Sequence, residues 1–219
     1  MPYYFKLPHY YIEDVDDFLS NIGYLKPYLR IYDPKEILLF SSKNRNDLRI
    51  LSNFHESSVP MPWMGHKFNS AEAMLFYTYL HNFFNNPKYD EEKKEALEFI
   101  INSKYGKEVK TNKLVNKLYV KMKKSVINEL GDEGWDLTDW EIACKIVKVK
   151  YEYCPEFKKL VDANKDKWFY ENSYWEKIPK PGVLEVTDKD SPLYGKYIGC
   201  NLTGIAIQRC VMLYESHQR

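Results

Sequence analysis

The sequence predicts a mainly α-helical α+β fold, a single domain in which a small N-terminal β element stands ahead of a helical body. Three observations predict it. Apolar residues recur at helical spacing through most of residues 69–163. The best strand candidate, Glu36-Ile37-Leu38-Leu39-Phe40, lies early, between Pro34 and Ser41-Ser42. The chain has 219 residues, 44% hydrophobic and 16% aromatic, enough to bury one large core.

Taken in order, residues 1–11 are aromatic and irregular, and Glu13-Asp14 open a short amphipathic helix through Phe18, Leu19 and Ile22, ended by Gly23. Strand 36–40 follows. Residues 48–54 are expected to pair with it, because the polar run 43–47 can turn the chain back. Residues 69–84 read as a helix that is apolar on nearly every face and therefore buried all round. Asn85-Asn86-Pro87 breaks the chain. A second core helix covers 90–102, with Leu97, Ile100 and Ile101 inward, and Gly106 follows its end. A third covers 113–130 on the stripe Val115, Tyr119, Met122 and Val126, and is stopped by residues 131–134. Asp139 is expected to cap a fourth helix over 140–151, and Pro155 to begin a fifth through Ala163. Residues 164–194 are the least regular, with a short strand at 183–186. Residues 203–214 read as a last helix.

Composition excludes several classes of function. Charged residues make up 29% and sum to +1, which argues against a dedicated nucleic-acid or membrane-surface protein. The lysine row Lys113, Lys117, Lys121 and Lys124 would serve a nucleic-acid contact, but such a row is more often a solvated helix face. The N-terminus lacks an apolar signal core and no run reaches transmembrane length, so a cytoplasmic protein without membrane contact is expected. None of the four cysteines forms C-x-x-C, and Cys144 reads as a small apolar residue on a helix. The five histidines show no zinc-helix spacing and join no Cys/His cluster, so no metal and no cofactor are expected. P-loop, dinucleotide and nucleophile-elbow motifs are not found, which leaves acid–base chemistry by carboxylates.

Glu72 is the acid that stands out, in the first turn of the buried helix. It has two explanations. With Asn69 as N-cap it completes a variant capping box, Asn-x-x-Glu. Otherwise a carboxyl in so apolar a helix needs a partner or a job.

The residues around it carry a resemblance. Leu51-Ser52-Asn53-Phe54, Gly65, Ser70-Ala71-Glu72, Gly106-Lys107, Trp135-Asp136, Lys150-Tyr151 and Gly199-x-Asn201-x-x-Gly204 stand in the order of the motifs of the NADAR (YbiA-like) family. The chain resembles that family from about Phe40 onward. The resemblance implies a YbiA-like domain over residues 36–219, with residues 1–35 as an N-terminal extension. It also implies an N-glycosidase that hydrolyses a C–N bond in a ribosyl or ADP-ribosyl compound, such as an ADP-ribosylated guanine or a riboflavin-pathway intermediate. Its partner would be that small nucleotide-like substrate or modified nucleobase. Where the family has His, Gln and Lys along the helix, this chain has Ala73, Phe76 and Tyr79. That departure keeps a second expectation open, a relative that binds ADP-ribose or NAD-like ligands without turnover.

Cleavage of an N-glycosidic bond passes through an oxocarbenium-like state, so one carboxylate stabilises the sugar while an acid protonates the leaving nitrogen. By match to the family, Glu72 is the first carboxyl. Glu176 is expected as the second, with Asp136 as fallback; the segment around Asn172 is the nearest equivalent of the family's late acid. Trp135, with Trp140 as rival, is expected to offer a flat surface to the base or ribose. Asn53, Phe54 and Asn201 are expected at the ligand, and Asp136 and Lys150 beside it. Gly199 and Arg209 are expected to meet phosphate.

Overall fold

The computed structural model describes residues 12–21, 29–33, 37–41, 43, 46–172 and 182–216. Among them the chain is mainly helical, with small sheets. It divides into two compact units. One comprises residues 1–41 and 166–208, and the other 42–165 and 209–219. The first unit thus joins an early and a late segment of the chain.

In the first unit, helix α1 (Val15–Asn21) precedes strands β1 (Arg30–Tyr32) and β2 (Ile37–Phe40). Late in the sequence come β5 (Trp168–Glu171), β6 (Leu184–Glu185) and β7 (Tyr197–Gly199). Strands β1, β7 and β6 form an antiparallel sheet, and Ile12 bridges to Val186 beside it. Ile12, Leu184, Val186 and Ile198 make its core, with Val15 and Phe18 of α1 packed on them. Among the described residues, Ile12, Val15, Phe18 and Leu29 thus contribute to this unit's core. The expected strand β2 forms, but its partner is β5, in parallel register from Ile37↔Trp168 to Phe40↔Glu171. The expected partner, 48–54, instead starts as a 3-10 turn over Asp47–Leu51, because the Asn46 side chain accepts from Leu48 N and winds the backbone.

The second unit is built around α2 (Ala71–Phe83), in which every residue from Ala71 to Leu80 is buried. Ahead of it stands a hairpin of β3 (Met61–Trp63) and β4 (His66–Phe68). Its two-residue loop, Met64-Gly65, has φ of 48° and 81°, both in the left-handed region that a primed hairpin turn demands. Trp63 Nε1 donates to Thr78 Oγ1 at 2.8 Å and fastens the hairpin to α2. Around α2 pack α3 (Asp90–Asn102), α4 (Gly106–Thr111) and α5 (Lys113–Tyr153). Helix α6 (Pro155–Asp162) follows α5 directly, and α7 (Leu202–Ser216) belongs to this unit from Arg209 onward.

Two expectations change here. The Gly106 segment is itself a helix, α4. At Gly131 (φ 75°, ψ 172°) the backbone leaves helical geometry, so α5 is two helices joined at a kink: the first ends at 130 as expected, and the second begins directly after the glycine rather than at 140. Asp139 therefore lies inside a helix, not at its cap.

Candidate functional site

The Leu51-Ser52-Asn53-Phe54 turn is fixed from three directions. Within it, Phe54 N donates to Ser52 Oγ at 3.2 Å and His55 N to Ser52 O at 3.2 Å. From α2, Glu72 N donates to the Asn53 carbonyl at 2.9 Å. From α5, the ammonium of Lys150 donates to the carbonyls of Ile50, Leu51 and Ser52 at 2.8, 3.3 and 2.7 Å. Lys150 is 1% exposed, with its charge over the Phe157 ring. Its three protons go to those three carbonyls, so its work is to hold the turn. Expected beside the ligand, it sits instead as a buried support.

Gly106 completes the junction. A Cβ there would come within 2.9 Å of Glu72 Cβ, 3.1 Å of Ser70 Oγ and 3.2 Å of Phe54 Cα. Only a residue without a side chain lets α4 approach the turn and the start of α2 together. Four sequence motifs that are far apart in the chain thus meet at one place.

The cap of α2 is Ser70, whose hydroxyl accepts from Ala73 N, rather than Asn69. Glu72 is therefore freed from the capping box. It is 7% exposed, and Lys110 of α4 lies with Nζ 3.9 Å from Oε1. That same ammonium sits 5.0 Å from the centre of the Phe54 ring. Burial pushes the Glu72 carboxyl above the ordinary glutamate range; Lys110 pulls it back, and the nearby Asp139 carboxylate adds to the rise. Lys110 is half-exposed, so solvent screens part of its pull.

Asp139 is the second acid that the structure sets in the electrostatic field of Glu72. It accepts a hydrogen bond from the Tyr79 hydroxyl, which burial, and then Asp139 itself, push far above the usual phenol range. The Tyr79 ring packs on Trp135 at 5.5 Å between centroids, with Tyr119 against both. Trp135 is 2% exposed, a wall of this aromatic cluster and not an open platform. Asp136 is half-buried, one turn before Asp139 on α5, and Trp140 is half-buried beside it.

Next to the turn lies a cleft of about 410 Å³. Arg49 and Lys107 bring positive charge to it and Glu108 one negative charge, which accepts from Tyr105 N at 3.3 Å; Phe54 and Tyr105 bring rings, and His55, Ser52 and Thr111 bring polar edges. Cations beside flat apolar surface match a phosphate-bearing, base-bearing ligand. Phe54 belongs both to this cleft and to the surroundings of Lys110 and Glu72.

The remaining expected residues lie elsewhere. Glu176 falls outside the described residues. Gly199, Asn201 and Gly204 serve a joint of the first unit: a Cβ on Gly199 would meet Gly182 O at 2.1 Å, and one on Gly204 would meet Phe169 O at 1.9 Å. Asn201 has φ 51°, donates from Nδ2 to Phe169 O at 2.9 Å and accepts from Glu171 N at 3.4 Å. Its amide is committed to strand β5. Arg209 is exposed beside the Cys144 thiol. Of the lysine row, Lys117 pairs with Glu92, and Lys117 and Lys121 both approach the Tyr89 ring.

Sequence reasoning missed Lys110, Tyr79 and Asp139 as site residues. Lys110 gave no motif, Tyr79 stood as a departure from the family pattern, and Asp139 looked like a helix cap. One group of described residues has ligand atoms placed to hold a metal ion: His55, Cys154 and Glu156. Among the described residues, no helix is long and apolar enough to cross a membrane. No protein-family model matches the chain, and no curated protein matches it in sequence.

Proposed function

We propose that this chain is an N-glycosidase of the NADAR (YbiA-like) kind, hydrolysing a C–N glycosidic bond in a ribosyl or ADP-ribosyl nucleotide-type substrate. The observation that carries the proposal is Glu72. It is a buried carboxyl with a raised proton affinity, beside Lys110 and in the field of a second acid, at the junction where the resembling motifs converge. A YbiA-like fold is part of the same proposal.

In this reading Glu72 acts as the acid that protonates the leaving nitrogen, since burial keeps a proton on it nearer neutrality. Asp139, held by Tyr79, is the carboxylate that meets the positive charge growing on the sugar or takes a proton from the attacking water. Arg49 and Lys107 attract the phosphates. General acid help of this type contributes roughly a hundred- to ten-thousand-fold in rate. The test is turnover of ADP-ribosylated guanosine and of ribosylated pyrimidine intermediates by wild type and by Glu72→Gln and Asp139→Asn. Loss of rate in both variants, with ligand binding retained, is expected.

A second reading has its own observation. Ala73, Phe76 and Tyr79, which stand where the resembling family has His, Gln and Lys, are all buried. A relative that binds ADP-ribose or NAD-like ligands without turnover follows if those polar groups are indispensable. Binding by wild type with no hydrolysis of any of these substrates would favour it over the first.

A further inference from the structure

The His55, Cys154 and Glu156 group lies outside the proposed carboxyl chemistry. His55 follows the Ser52–Phe54 turn, and Cys154 and Glu156 stand at the start of α6, about a hundred residues later in the chain. One ring nitrogen of His55, the Cys154 sulphur and one Glu156 oxygen all lie within 4.8 Å of one another.

Each residue is held ready. Glu156 is oriented by Ser58, whose backbone N–H and hydroxyl both donate to it at 2.7 Å. His55 Nε2 lies 3.1 Å from Glu156 Oε1. With that N–H turned to the carboxylate, the lone pair of a neutral imidazole is on Nδ1. His55 Nδ1 is buried and has no hydrogen-bond partner among the described residues. Cys154 is fully buried and is the residue just before α6, which sets its sulphur beside the other two groups; burial pushes its thiol up, so a bound ion is what would draw the proton off.

We propose that His55, Cys154 and Glu156 form a binding site for a divalent transition-metal ion of zinc type. The donor set of imidazole, thiolate and carboxylate is the one such an ion takes, and three protein ligands leave one position for water or a ligand. Bond lengths near 2.0–2.3 Å put tetrahedral donor atoms roughly 3.5 Å apart, so small side-chain rotations close the group around an ion. An ion on His55 Nε2 replaces the hydrogen bond to Glu156, the ring proton shifts to the unpartnered Nδ1, and the thiol proton of Cys154 leaves to solvent. The thiolate and the carboxylate then balance a 2+ charge. Lys150 lies nearby, but its ammonium is already turned onto the three carbonyls of the turn. His55 also lines the cleft, which gives the ion a way in. The site does not depend on the glycosidase proposal.

The experiment is a cobalt titration of the full chain, stripped with chelator and kept reduced, read by the sulphur-to-cobalt charge-transfer absorption in the near ultraviolet. One equivalent of cobalt is expected to produce the band and zinc to displace it. Cys154→Ser should abolish the band, while Cys144→Ser, a half-buried thiol elsewhere in the same unit, should leave it intact. Glu156→Gln should weaken binding by at least about tenfold, the scale on which losing support of a metal costs affinity. Absence of the band in wild type, or its survival in Cys154→Ser, overturns the site. Should Cys154→Ser fail to fold by circular dichroism, Glu156→Gln and His55→Ala decide, and unchanged cobalt affinity in both overturns it.

Discussion

Lys150 Nζ donates to the carbonyl oxygen of Ser52 at 2.7 Å, across 98 residues of sequence. With Ile50 and Leu51 served by the same ammonium, one buried cation organises the turn that faces the cleft. Replacing it exposes what the arrangement contributes. Lys150→Met keeps most of the volume but leaves buried carbonyls without their donor, and an unsatisfied buried polar group costs about 1–3 kcal/mol. A loss of stability of about 2–4 kcal/mol is expected, on the same basis. Urea denaturation checks it, and a change under about 0.5 kcal/mol would contradict the role given to Lys150.

Gly106 and Gly65 make a matched pair of tests. Gly106→Ala drives a methyl group into Glu72, Ser70 and the Phe54 backbone, where overpacking costs about 1–3 kcal/mol. It should also displace Glu72 and lower activity. Gly65→Ala meets open space but must hold φ near 81°, so its cost should stay near 1 kcal/mol, with activity retained. Thermal melts of both variants, with turnover or ligand binding alongside, check the order. Equal effects would mean that the contact at Gly106 is not tight.

The Glu72 carboxyl gives a dependence on pH with a definite sign. Its folded-state pKa is raised, first by burial. The unfolded chain therefore gives up this proton at lower pH than the folded one. The stabilisation linked to Glu72 is complete below the unfolded pKa, near the ordinary 4.5, and is lost as pH rises through the folded value. Glu72→Gln removes the titration. Relative to wild type, the variant should gain stability as pH rises from 4 towards neutrality. Denaturant midpoints at several pH values measure this, and a difference between the two proteins that stays constant with pH would refute it.

Lys110 should tune the same group. Lys110→Met removes the cation that lowers the Glu72 pKa. If Glu72 is the proton donor, activity falls as pH rises through its pKa, and the variant should carry that fall to higher pH. The pH–rate profile is the measurement, and a shift to lower pH would argue against this pairing.

Much of this architecture is legible in the sequence where the pattern is local. Strand β2 and helices α2, α3 and α6 lie within two residues or so of their expected places, because periodicity and flanking Pro, Asn and Ser residues mark them. What the sequence did not reveal is what long-range packing decides. The β3–β4 hairpin hides behind Pro60 and Pro62 and turns on a Met in the left-handed region. Residues 47–51 carry strand-like side chains, yet Asn46 winds their backbone. The glycine at 131 does end the first part of α5, but the sequence did not show that a second helix starts directly after it, where Trp135, Ile142 and Ile146 have a core to enter. The site divides in the same way. Glu72 was visible as a single acid in an apolar helix, whereas its neighbours Lys110 and Asp139 come from other helices. Likewise His55, Cys154 and Glu156 show no motif, since their meeting is made by the fold.

After its bend at 131, α5 runs without interruption through Asp139 to Lys150. These residues are eleven apart, three turns of a rod about 16 Å long. The acid beside Tyr79 and the cation beneath the turn are thereby ruled off against each other by helix pitch. Inserting one residue between them would rotate one relative to the other by about 100° and sever one of the two attachments. The same insertion just before the bend leaves that spacing intact.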